Sequence, residues 1–387
     1  MGTMDGTAIY LDHAASAPLR PEAREAMLPF LEGRFGNPSS AHRFGREARA
    51  ALEDARARLA RLIGAAPAEI VFTRAGTEAD ALAILGRARM EPGRPVAVSA
   101  IEHKAVLASA HAAEDEGVAT IVLPVDGDGL VEMDSVTAAI SRRPAVVSVM
   151  WANNEVGALQ PVGEIGAHCR AAGVVFHSDA VQALGKVPVR VDQVEVDLVA
   201  FSAHKVGGPK GIGALYVRRG TRLRPLLFGG GQERGLRPGT EDVAGAAGFA
   251  AAAEAADAHR ASEMARIGAL RDRLEAGLLG SVPGAVVNAA AAPRLPTIAN
   301  LSVPGADPEA LLIALDLEGI AASSGSACSS GAVEPSHVLT AMGIPAALAG
   351  PSVRFSLGWT TTEAEIEHVL DIVPRVAERV RAANDAS

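Results

Sequence analysis

Cys328 lies in the run Ser323-Ser324-Gly325-Ser326-Ala327-Cys328-Ser329-Ser330-Gly331, which apart from one alanine and the cysteine is all Ser and Gly. Such a run has almost nothing to bury and favours turns, so it reads as an exposed loop. A thiol is usually buried as a small hydrophobe. Here it stands open to solvent, either as a tolerated surface cysteine or as a nucleophile whose reactivity is used. Gly76-Thr77 ends an apolar run and opens a helical one, so its backbone N–H groups at a positive helix end form a phosphate cradle. Ser202 and His204, on either side of Ala203 and just before Lys205, could add donors to the same phosphate. Neither Gly-x-x-x-x-Gly-Lys-Ser/Thr nor Gly-x-Gly-x-x-Gly stands at a strand end, which counts against nucleotide cofactors. A phosphate site with Lys205 and Asp179 at neighbouring strand ends suggests pyridoxal phosphate instead. That cofactor needs a lysine Schiff base and an acidic partner for its pyridine nitrogen.

These residues need a scaffold, and the apolar pattern supplies one. Short runs recur at 70–72, 95–98, 120–123, 145–150, 174–176, 198–201 and 214–217, with helical stretches such as 47–62 and 162–172 between them. Continuous apolar strands alternating with helices predict a mostly parallel seven-stranded sheet covered on both faces, an α/β fold. Ligands in such sheets bind at the carboxyl ends of strands. Five strand ends carry polar residues: Thr73 to Glu78, Glu102-His103-Lys104, Asn153-Asn154-Glu155, His177 to Gln182, and Ser202 to Lys205. Each residue has an ordinary use as well. Lys205 could be a solvated lysine, His103 could cap a turn, and Asp179 could be an N-cap. Their joint order along the chain is what points to a cofactor site. Beyond residue 250 come long helices at 255–279 and 308–317, the Cys328 loop, a strand at 353–357 and a last helix from 362, a plausible smaller α+β domain.

The 387 residues are 49% hydrophobic but only 3% aromatic, ample for a core of Ala, Val, Leu and Ile. A net charge of −9 with dispersed arginines offers no basic face for nucleic acid. Two cysteines cannot make a disulfide framework, and no basic-then-apolar leader or membrane-length apolar run is present, so a cytoplasmic protein is expected. No metal site is expected.

With these motifs in order, the chain resembles the cysteine desulfurases of the NifS/IscS type, within the class V, fold-type-I pyridoxal phosphate enzymes. The resemblance runs almost end to end. It rests on Tyr10-Leu11-Asp12-His13-Ala14-Ala15, Thr77-Glu78-Ala79-Asp80, Glu102-His103-Lys104, Asn153-Asn154-Glu155-Val156-Gly157 and Asp179-Ala180-Val181-Gln182. Ser202-Ala203-His204-Lys205, Gly229-Gly230-Gly231-Gln232-Glu233-Arg234, Arg237-Pro238-Gly239-Thr240, the Cys328 loop and Ser352 to Gly358 complete it. The resemblance implies a large cofactor-binding domain over 15–255 and a small domain over 256–387 with 1–14. It implies that Lys205 carries the cofactor and moves protons, that Asp179 pairs with the pyridine N–H, and that His103 stacks on the ring and takes part in proton transfer. Gln182 would bond the ring's phenolate oxygen. Gly76, Thr77, Ser202 and His204 would hold the phosphate, joined by Thr240 of the partner subunit in a homodimer. Arg354 would clamp the substrate carboxylate, with Asn154 close to both cofactor and carboxylate. Cys328 would then take sulfur from L-cysteine as a persulfide, leaving L-alanine, and deliver it to an acceptor protein of an iron–sulfur, thio-cofactor or tRNA pathway. Cys169 would be a bland buried residue. Ala203, Ala81, Pro238 and Ser16-Ala17 depart from the family pattern without touching a residue that has an assigned role.

Overall fold

The computed structural model describes residues 8–324 and 335–385. In chain order its strands are β1 (Ile9–Tyr10), β2 (Ile70–Thr73), β3 (Val96–Ser99), β4 (Thr120–Leu123), β5 (Val146–Ser148) and β6 (Phe176–Asp179). They continue with β7 (Leu198–Ser202), β8 (Gly213–Val217), β9 (Val286–Val287), β10 (Ile298–Ser302), β11 (Ile320–Ala321) and β12 (Ser352–Ser356). The main sheet has seven strands in the order β2-β8-β7-β6-β5-β3-β4. Only β8 runs against the others, pairing antiparallel with both β2 and β7, while β7, β6, β5, β3 and β4 are parallel neighbours. The carboxyl ends of the other six strands therefore share one edge, as the sequence led us to expect. Every residue of β2, β3, β5, β6 and β7 is buried, which is why these strands, β6 excepted, read as largely apolar runs rather than alternating ones.

Two elements differ from the sequence reading. The strand expected at 174–176 lies at Phe176–Asp179, so the polar residues read as following it belong to it. His177 and Ser178 are fully buried, and His177 Nδ1 meets Ser148 Oγ at 2.9 Å, so the strand continues past its apolar start through polar side chains, of which Ser178 Oγ has no partner among the described residues. The helix expected to begin near Ala255 runs unbroken over Val243–Ser281, capped at its start by Asp242, whose Oδ1 accepts from the Gly245 N–H at 2.8 Å. The expected domain boundary at 255/256 thus falls inside a continuous helix. The first part of this helix, with Ala246, Phe249, Ala250 and Ala253, packs in the core beneath the large sheet. Its second part, with Ile267, Leu270, Leu274 and Leu278, joins a separate core. That second core includes Ile9 and Leu11 from the N-terminal segment, Leu301 of β10 and Phe355 of β12. β12, β10 and β9 form the small antiparallel sheet, and β1 pairs with β11. Cys169 is completely buried in the helix Val162–Ala172, and burial pushes its thiol up to about 12, so it is inert.

Candidate active site

The helix Gly76–Ala88 starts directly after β2, and no described side chain caps its first turn. Its leading N–H groups therefore face outward with the positive end of the helix behind them. Gly76 is required by packing: a Cβ there would stand 2.7 Å from Val181 Cγ2 and 3.5 Å from Ser202 Cβ. These contacts bring the helix start against the turn after β6 and the end of β7. Ser202 Oγ is buried and without a partner among the described residues. An uncapped helix end beside an unsatisfied buried hydroxyl is a fitting cradle for a phosphate group.

This cradle opens into a cavity of about 350 Å³. Gly76, Thr77, His103, Asn154, Asp179, Gln182, Ser202, His204, Lys205 and Arg354 all line it, so the structure brings together ten of the residues singled out from sequence. Two are not among them. Thr240 is exposed and lies outside this lining, and Cys328 lies outside the described residues.

Asp179 ends β6 facing the cavity, its Oδ1 accepting from the Val181 N–H at 2.8 Å. Burial raises its pKa, while His103, that N–H and Lys205 pull it back. A buried carboxylate in this state gains most from a cationic N–H partner, which is what a protonated pyridine ring offers. His103 caps the helix Lys104–Asp115, its Nδ1 accepting from the Ala105 N–H at 3.1 Å. Burial above all lowers its pKa, so the ring is neutral and Nε2 is left to carry the proton. Lys205 Nζ donates to the carbonyls of Ala14 and Ala15 at 2.6 and 2.8 Å. His204 Nδ1 lies 3.3 Å from Ser16 Oγ, and burial with the nearby lysines holds its pKa down to about 4.

Arg354 on β12 enters from the small sheet. One guanidinium nitrogen donates to the Asn154 carbonyl at 2.9 Å, another to Asp12 Oδ1 at 2.7 Å, and its buried Nε has no partner among the described residues. The backbone of Arg354 also exchanges two hydrogen bonds with Ser323. On the far side of the Cys328 segment, Ser336 Oγ donates to Glu155 and His337 Nε2 lies 3.0 Å from the Glu102 carbonyl. The described residues flanking that segment are thus tied to neighbours of Arg354, Asn154 and His103.

Sequence reading missed four parts of this site. Asp12 and the Ala14 and Ala15 carbonyls stood in a quoted motif but had no role. Asp80, fully buried one turn into the phosphate-facing helix, offers an oxygen within 4.8 Å of ligand atoms of His103 and Asp179. Burial, Asp179 and Glu102 raise its pKa well above the usual carboxylate range, which disfavours the ionised form that holding a cation requires. Lys186 bonds Gln182 from behind the cavity.

The phosphate cradle, the lysine, the buried aspartate and the flanking histidine together fit pyridoxal phosphate. Comparison with known proteins agrees. The model of the class-V aminotransferase family matches residues 9–369. The chain is similar to the cysteine desulfurase IscS of Dictyoglomus turgidum, 44% identical over 375 residues, covering 96% of this chain and 95% of that protein. It is also similar in structure to a NifS-like protein from Rickettsia africae, with a TM-score of 0.87, 32% identity and coverage of 96% and 99%. A third relative, SspA solved in complex with cysteine, has a TM-score of 0.78 and 34% identity, covering 90% of this chain and 98% of that one. The chain belongs to the class-V aminotransferase family of pyridoxal-phosphate-dependent enzymes.

Proposed function

We propose that the protein is a cysteine desulfurase that converts L-cysteine to L-alanine and carries the sulfur on Cys328. The observation that supports this most is the shared cavity, where Lys205, Asp179 and an uncapped helix end meet Arg354, a buried arginine with an unsatisfied Nε–H. Bound pyridoxal phosphate supplies an electron sink that weakens the substrate's C–S bond. The chain's own residues do the rest. Gly76, Thr77, Ser202 and His204 hold the phosphate, Asp179 keeps the ring nitrogen protonated, and His103 stacks and presents a proton at Nε2. Arg354, preset by Asp12 and the Asn154 carbonyl, binds the substrate carboxylate through charge-assisted hydrogen bonds. Lys205 moves protons on the substrate.

The Cys328 thiolate attacks the substrate sulfur, forming an S–S bond as the C–S bond breaks. The carbon keeps the electron pair and takes a proton, giving L-alanine and a persulfide, so one thiol and one cysteine account for both products. SspA, a relative with a similar fold, has been solved with cysteine, which supports this substrate. The persulfide then passes to an acceptor protein of an iron–sulfur, thio-cofactor or tRNA pathway. We place the enzyme in the cytoplasm as a homodimer, with Thr240 reaching the partner's phosphate. Its exposure, with Phe228 and Phe35 exposed at 87% and 75%, supports a second copy covering this face. The test is alanine release from L-cysteine by holoenzyme and by Lys205→Ala. Release by wild type alone is expected, and a Lys205→Ala variant with wild-type release would overturn the proposal.

A further inference from the structure

Gln182 lines the cofactor cavity, while Lys186 lines a second, smaller and mostly apolar cavity of about 40 Å³ together with Lys205, Arg20 and Glu263. Lys186 Nζ donates to Gln182 Oε1 at 2.7 Å. On the other end of the same carboxamide, Nε2 donates to the Ala14 carbonyl at 2.8 Å. An ammonium can only donate and a carbonyl can only accept. The two neighbours therefore admit one orientation of the amide, since a flip would set NH2 against the ammonium and oxygen against oxygen. The Ala14 oxygen is also the acceptor for Lys205 Nζ at 2.6 Å. The second N–H of Gln182 is thereby held next to the amine that carries the cofactor. The ring oxygen of pyridoxal phosphate is ortho to the carbon that this amine joins.

We propose that Lys186 is a positioning residue: it locks the Gln182 carboxamide so that an N–H, not the oxygen, faces the cofactor's phenolate oxygen. The proposal rests on the role of Gln182 given above. Lys186 does not line the cofactor cavity, so it acts through Gln182. The charged and titratable groups around it are Lys205 and His204 after β7, Arg354 on β12, His13 on the N-terminal segment, and the Arg20–Glu263 pair beside the long helix. Burial, with Lys205 and Arg354, lowers the Lys186 ammonium to about 7, so it is the donor-only group that fixes the amide below that pH. An N–H on the phenolate favours its anion and lowers the proton affinity of the bound chromophore.

The experiment is a pH titration of the visible absorption of the holoenzyme, for wild type, Lys186→Met, Lys186→Arg, Gln182→Leu and the Lys186→Met/Gln182→Leu double variant. Lys186→Met should raise the apparent pKa of the chromophore by about one unit, a tenfold change in proton affinity. Lys186→Arg should restore it, and the double variant should shift no further than Gln182→Leu alone. No shift in Lys186→Met, or shifts that add in the double variant, would overturn the proposal. If Lys186→Met folds poorly, Lys186→Gln serves. It can accept as well as donate, so it releases the flip and must move the pKa the same way. A wild type that forms no chromophore would instead count against the cofactor assignment itself.

Discussion

The phosphate cradle depends on a close approach that can be broken and mended. A Cβ at Gly76 would stand 2.7 Å from Val181 Cγ2, against the 3.4 Å at which ordinary contact begins. Gly76→Ala must therefore push the helix start and the turn after β6 apart by roughly 0.7 Å, the difference between these two contacts. Overpacking of this kind costs about 1–3 kcal/mol, and if the strain is relieved by moving the cradle it weakens cofactor binding by about 5–150-fold. Val181→Ala removes the clashing methyl, so Gly76→Ala/Val181→Ala should bind within about threefold of wild type, the scatter expected of a partly relaxed site. The assay is titration of the apoprotein with pyridoxal phosphate, followed by visible absorption. Thermal melting of the apo forms shows whether the fold itself is spared. Wild-type affinity in Gly76→Ala, or a double variant as weak as Gly76→Ala, would refute the reasoning.

Two further substitutions probe the substrate end and the sheet edge. Arg354→Lys keeps the charge but cannot serve Asp12, the Asn154 carbonyl and a carboxylate together, so KM for L-cysteine should rise about 10–100-fold, the worth of one charged hydrogen bond. The cofactor spectrum should not change, and an unaltered KM would count against the assigned role. Glu102 is fully buried, takes hydrogen bonds from Ser99 Oγ and the Met150 N–H at 2.6 Å each, and burial pushes its pKa up to about 8. The folded state thus holds a proton that the unfolded chain gives up near the ordinary carboxylate pKa. This stabilisation is fully present below about 4.5 and is lost as pH rises through about 8, on the order of 5 kcal/mol in all. Glu102→Gln removes the ionisation, so its denaturation midpoint relative to wild type should improve between pH 5 and pH 8.5. Parallel curves would show that Glu102 does not titrate in this range.

The edge of the sheet was legible because its physics is local. Each strand is a short apolar run, and the polar residues at 76–77, 103, 154 and 202–205 stand where those runs stop. Burial misled the reading at β6, where His177 and Ser178 are polar yet fully buried, with His177 Nδ1 meeting Ser148 Oγ while Ser178 Oγ has no partner among the described residues. The helix Val243–Ser281 was read as beginning only near Ala255 because its first turns are mostly Ala and Gly. Small residues give little amphipathic signal, yet they let Gly248 pack so closely on Met27 that a Cβ would lie 2.6 Å from its Cγ. Contacts across the chain left no trace in local pattern: Asp12 and Arg354 are 342 residues apart, and Lys205 and Ala14 are 191 apart. Lys186 stands four residues after Gln182, a spacing that places side chains together only once that segment is known to be a helical turn.

The central claim is that this cavity and Cys328 act on one substrate in one turnover. The direct measurement is to mix holoenzyme with L-cysteine, without reductant or acceptor, and analyse products and protein by mass. One L-alanine per active site and one added sulfur atom on the peptide containing Cys328, both absent in Cys328→Ser, are expected. Alanine released at the wild-type rate by Cys328→Ser, or sulfur found on Cys169 instead, would contradict it.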